Sequence, residues 1–132
     1  MEVFMLTGES QKGKTAVLHL VHEILIANDA KPSEVVRVGA KDQRDFTDVL
    51  TYRDNKKIKI LTMGDCKKDI KEALAVKGCD FLICSCNDEH KELFEKATLP
   101  LIEKTIAEEQ SCRFAANWYD ANRIIDRLER KI

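Results

Sequence analysis

The chain alternates short continuous apolar runs with stretches of helical period. Glu2–Thr7 (EVFMLT) is an apolar run of strand length that stops at Gly8, as a buried strand does. From Lys14 to Ala27 the apolar residues Val17, Leu18, Val21, Ile24 and Leu25 recur at helical spacing. Asn28-Asp29 and Lys31-Pro32 end that helix. Val35–Val38 (VVRV) predicts a short strand edged by Gly39, and the polar stretch Lys41–Asp48 (KDQRDFTD) predicts a surface loop. Val49, Leu50 and Tyr52, the turn residues Asp54-Asn55, and the run Lys57–Met63 predict a β-hairpin.

Further along, Ile70, Ala73 and Leu74 mark one face of a helix over Lys67–Lys77, with Gly78 placed to cap it. Phe81–Cys86 (FLICSC) predicts another buried strand. Asp88–Ala97 and Leu99–Gln110 predict two helical pieces, with Pro100 in the first turn of the second. Cys112–Ala115 predicts a weak last strand, and Ala121, Ile124, Ile125 and Leu128 an amphipathic C-terminal helix. Such alternation predicts an α/β fold: a three-layer, open, mainly parallel sheet with helices on both faces. The hairpin should add an antiparallel edge strand. With no internal repeat and no linker, one domain over 1–132 is the economical expectation.

Composition narrows the function classes. The formal net charge of −1 gives no strong pull towards nucleic acid or anionic membrane. No apolar run approaches the ~18 residues of a membrane span, and Met1-Glu2-Val3 opens no basic leader segment. The five cysteines, an odd number, read as reduced thiols and a cytoplasmic protein. Cys84 and Cys86 share one strand face without zinc-like spacing, so they read as small core residues. His19 and His22 read as helix-face residues, and Trp118 and Tyr119 as packing residues.

One stretch carries chemistry. Gly8-Glu9-Ser10-Gln11-Lys12-Gly13-Lys14-Thr15 fits G-x-x-x-x-G-K-[ST] in full, directly after a predicted strand and directly before a predicted helix. The two glycines permit backbone angles that a Cβ hinders. The amides of such a loop turn inward around a phosphate, and the helix N-terminus adds a positive dipole end. On this motif the chain resembles the P-loop NTPase superfamily, through its Walker A segment. The resemblance implies phosphate binding by Gly8, Glu9, Ser10, Gln11, Lys12, Gly13, Lys14, Thr15 and Ala16. It implies that Lys14 meets the β- and γ-phosphates in a catalytic role, and that Thr15 coordinates Mg²⁺.

The superfamily also places an acid at the end of a neighbouring strand. Ile58–Asp65 (IKILTMGD) makes Asp65 the candidate for that second metal-holding and catalytic group, with helix capping as its alternative use. Asp42 and Asp45 are further candidates, and Lys41 and Arg44 could meet a γ-phosphate from the same stretch. Lys67, Lys68 and Lys71 read as a solvated helix face. The implied ligands are Mg²⁺ and a nucleoside triphosphate, ATP favoured over GTP, with an unknown second substrate or protein partner. Slow NTP hydrolysis or kinase-like phosphoryl transfer is the first expectation. A GTPase-like switch, with Thr47 as its switch threonine, and a non-catalytic nucleotide-binding or interaction module are the alternatives. Asn87–Gln110 lacks the arginines of a kinase lid, and neither D-x-x-G nor N-K-x-D is present after the hairpin.

Overall fold

Each long apolar run becomes a strand, and the inward positions of those strands sort to two faces. The computed structural model describes residues 1–33 and 45–132 and the backbone of 36–37. Strand β1 is Glu2–Gly8, followed by helix α1 at Lys14–Ala27. Short strands β2 (Lys31–Pro32) and β3 (Val36–Arg37) precede the hairpin of β4 (Phe46–Tyr52) and β5 (Lys56–Leu61). Helix α2 (Lys67–Leu74), strand β6 (Phe81–Asn87), strand β7 (Ile102–Glu103) and helix α3 (Arg113–Glu129) complete the chain. The strand order is β2-β4-β5-β6-β1-β7, with β3 also on β4. Strands β5, β6, β1 and β7 run parallel, and β4 is antiparallel to β5. The hairpin strand β4 is not itself the rim, because β2 and β3 pair along its outer side.

Alternation explains the layers. Phe4, Leu6, Ile58, Ile60, Phe81 and Ile83 face Val17, Leu18, Val21 and Leu25 of α1 and Ala121, Ile124 and Leu128 of α3. Val3, Met5, Leu82, Cys84 and Cys86 face the other way, against Ile70 and Ala73 of α2 and Leu93. Each fully buried Leu or Ile contributes about 1.5–3 kcal/mol. The result is a mixed α/β sheet, helix-covered on both faces. Among the described residues, no helix is long and apolar enough to cross a membrane.

Five expectations change. Phe46-Thr47-Asp48 belongs to β4 rather than a surface loop. Asp48 is buried there because His22 Nε2 lies 2.8 Å from Oδ2, while Ser33 Oγ and the Val49 amide donate to Oδ1. Lys41, Asp42 and Arg44 lie outside the described residues. Leu99–Gln110 is not a helix: Ile102 and Glu103 pair with Leu6 and Thr7 of β1, and burial alternates from Leu101 to Lys104 with period two. Arg113–Ala115 open α3 instead of forming a strand, and Asp88–Lys96 is a 3-10 stretch broken at His90. Finally, Trp118 and Tyr119 do not pack inward but are 46% and 57% exposed.

Candidate functional site

Register brings the chemistry to one edge. Gly8 at the end of β1 pairs with Asn87 at the end of β6, and β5 ends beside β6 at Leu61↔Cys84. The carboxyl ends of parallel strands form the usual ligand edge of an open α/β sheet. Because β4 runs antiparallel, its amino end reaches the same edge: Phe46 accepts from the Thr62 amide at 3.1 Å. Asp45, one residue before β4, is therefore delivered next to α1.

Between β1 and α1 the loop closes through two glycines. Gly13 precedes the helix at φ 95°, a left-handed conformation that favours glycine. Space makes the same demand: a Cβ on Gly13 would lie 3.2 Å from Asn117 Oδ1 and 3.4 Å from Lys104 Cε, and one on Gly8 would lie 3.2 Å from Lys104 Cβ. Lys14 is 5% exposed. Its ammonium folds back and donates to the carbonyls of Gly8, at 3.2 Å, and Glu9. Burial holds its pKa below the usual lysine value, although Asp88, Cys86 and Asp65 nearby oppose that shift.

Thr15 Oγ1 donates to Asp45 Oδ1 at 3.2 Å, and Thr62 Oγ1 donates to the same oxygen at 3.0 Å. Asp65 lines the same cavity but makes no hydrogen bond to Thr15 among the described residues. It does not cap α2 either, since the residue before that helix is Cys66, which makes no side-chain capping bond. The Asp65 carbonyl lies 3.0 Å from His90 Nε2. Gly64 is required for space: a Cβ there would lie 2.5 Å from Ser85 Oγ.

The cavity over this edge has a volume of about 460 Å³ and runs from Ser10, Lys14 and Thr15 to Asp65 and Asn87. Among the described residues Lys14 is its one cationic lining residue, facing Asp45, Asp65 and Glu89. Two neutral groups on its wall escaped sequence reasoning. Ser85 Oγ donates to the Thr62 carbonyl at 2.7 Å. Asn87 is 4% exposed, yet its side-chain amide has no hydrogen-bond partner among the described residues. Open to the cavity and with no partner of its own, that amide is free to meet a ligand or water. Its signal was its place at the end of a strand in register with Gly8. Thr47, the candidate switch threonine, sits within β4 and does not line the cavity.

Behind the loop stands a second charged group, also missed. The Lys104 side chain is 2% exposed, and its ammonium lies 3.3 Å from Asp120 of α3, whose side chain is fully buried. Asp120 also accepts from the Thr105 amide at 2.7 Å, the Thr105 hydroxyl at 2.6 Å and Arg123 at 2.6 Å. Burial pushes the Asp120 pKa up, but these donors outweigh it and hold the carboxyl below its ordinary range. Cys84 and Cys86 are free buried thiols; burial raises both, Cys86 to about 11, so neither is a nucleophile at neutral pH. Comparison with family models, with curated proteins and with solved structures finds no match to this chain.

Proposed function

We propose that this protein binds a magnesium–nucleoside triphosphate, ATP in preference to GTP, in a P-loop NTPase-like site. One observation carries the reading. The Gly8–Thr15 loop joins a buried strand to a helix N-terminus, and beside it Thr15 shares a hydrogen bond with Asp45 in a cavity whose lone cation among the described residues is Lys14. A triphosphate fits the loop amides and the helix dipole, but three lining carboxylates would repel it unless a cation came with it. The Thr15 hydroxyl and the Asp45 carboxylate are hard oxygen donors, the set that Mg²⁺ takes alongside phosphate and water. Bound there, Mg²⁺ would supply neutralisation of charge on the β- and γ-phosphates.

The chain's own residues then divide the work. Lys14 exchanges two loop carbonyls for phosphate oxygens, which removes little from the apo loop. Asn87 offers its amide N–H to a terminal phosphate oxygen. Asp65 and Glu89 line the far side of the cavity and in this reading orient water near that phosphate. No arginine lines this cavity among the described residues, so unassisted hydrolysis is slow in this reading, and a partner or second substrate accelerates it.

Thermal melts of wild type and Lys14→Ala with MgATP, MgGTP and Mg²⁺ alone test the reading. Ligand at about a hundred times Kd adds about 2.7 kcal/mol to stability. The melting temperature should therefore rise with MgATP and not in Lys14→Ala. No rise with any nucleotide at millimolar concentration would overturn the proposal.

A further inference from the structure

A second cavity, of about 280 Å³, shares Gln11 and Gly13 with the first and continues behind the loop to Lys104, Ile106, Ala116 and Asn117. Its volume is at the small end of ligand sites, ~300–1,000 Å³, which suits one flat ring system. A third cavity lies on the Glu9 side, against Asp88, Phe94 and Glu103, and shares no lining residue with the first. A ligand with its phosphates in the first cavity can extend into the second past Gln11 and Gly13, which line both.

The polar groups of the second cavity are unequally available. Asp120 behind it already accepts four donors, from Thr105 twice, Arg123 and Lys104. The Thr105 amide and hydroxyl are both used in that set. Arg113 is exposed at the wall. Asn117 is half-buried, lines the cavity, and has no side-chain hydrogen-bond partner among the described residues. An asparagine amide offers one donor and one acceptor side by side. That pair matches the adenine edge, an amino donor beside a ring-nitrogen acceptor. Guanine presents two donors together on its N1–N2 edge and asks for a carboxylate, and the carboxylate behind this cavity, Asp120, is saturated.

We infer that the second cavity seats the nucleobase and that Asn117 is its reader, selecting adenine over guanine. This rests on the triphosphate reading of the loop and adds the base to it. The faces of the ring meet Ile106, Ala107 and Ala116, which are apolar. The Lys104–Asp120 pair is the rigid floor that fixes how far Asn117 stands from Gly13.

The test is calorimetric titration of wild type, Asn117→Ala and Asn117→Asp with MgATP, MgGTP and magnesium tripolyphosphate, which has no base. Loss of one good bidentate contact is worth about tenfold. Asn117→Ala should weaken ATP by about that factor and leave tripolyphosphate unchanged. Asn117→Asp should lower the ratio of ATP to GTP affinity, since a carboxylate gives guanine its two acceptors. The inference is overturned if Asn117→Ala leaves ATP unchanged, if it weakens ATP and tripolyphosphate equally, or if wild type prefers GTP. In those cases tripolyphosphate still binds and Lys14→Ala still abolishes it, so the triphosphate reading of the loop survives, without its ATP preference in the last case. Absence of binding by both ATP and tripolyphosphate overturns both.

Discussion

Two carboxylates flank the glycine loop, and they are built in opposite ways. Asp120, behind the loop, is fully buried, and both of its oxygens are committed to Lys104, Thr105 and Arg123. Asp45, in front of it, is half-buried and receives two hydroxyl donors on Oδ1 alone. The same contrast separates the two lysines. Lys104 is ion-paired, whereas Lys14 rests on backbone carbonyls and makes no ion pair among the described residues. A saturated buried charge holds structure; a charge left with spare valence awaits a ligand. The loop therefore has a structural side and a chemical side, and substitutions on the two should fail differently.

The largest effect belongs to the structural side. Asp120→Ala leaves Lys104 and Arg123 without their shared acceptor in a buried place. Removing one partner of a buried pair costs about 3–5 kcal/mol. Urea denaturation should show a loss of that size, with the loop disturbed as a consequence, because Lys104 packs against both Gly8 and Gly13. An Asp120→Ala protein as stable as wild type would break the comparison.

The structural side is also where the sequence was hardest to read. Glu2–Thr7, the helix from Lys14 and the second half of the hairpin were legible because most of their inward positions are apolar. Strand β7 and the start of α3 were not, and the two failures have one cause. Lys104, the residue after β7, turns inward and Asp120 takes an inward helix position, each neutralising the other. A hydrophobic pattern scored one residue at a time marks both as surface and breaks in both places at once. Asp48 hid β4's first half in the same way, its charge answered by His22 from a different element. The front of the loop was more legible. The Gly-rich motif stood out, and Asp45 was within the range considered, but the antiparallel course of β4 had to be known before Asp45 could be set beside Thr15. Asn87 needed the β1–β6 register.

On the chemical side the effect moves from stability to ligand. Asp45→Asn keeps a carbonyl oxygen for Thr15 and Thr62, so urea midpoints should stay within about 1 kcal/mol of wild type. Losing a carboxylate that holds a metal, or orients the group that does, typically weakens metal-dependent binding about 10–100-fold. Titrating ATP with and without Mg²⁺ checks this: the magnesium enhancement should shrink in Asp45→Asn and persist in Asp65→Asn. If Asp65→Asn is the variant that loses it, the metal partner of Thr15 lies across the cavity instead.

The smallest effect is the sharpest test of spare valence, because it has the unusual sign. Burial lowers the Lys14 pKa in the folded protein below the 10.5 of an ordinary lysine. At pH values between the folded and unfolded pKa, the unfolded chain holds a proton that the folded chain has released. Stability therefore rises with pH through that window, and below it the charged Lys14 is a standing burden on the fold. Lys14→Met keeps the apolar stem and removes the charge, so the apo protein should gain stability at pH 7 and lose the rise on the alkaline side. Urea midpoints of the two proteins from neutral to about pH 10.5 measure both. Triphosphate affinity should fall in the wild type over that same alkaline window, since only the ammonium form attracts phosphate. A Lys14→Met protein that is less stable than wild type at pH 7 would mean that the lysine holds the loop together, as Lys104 does, and the distinction between the two sides would collapse.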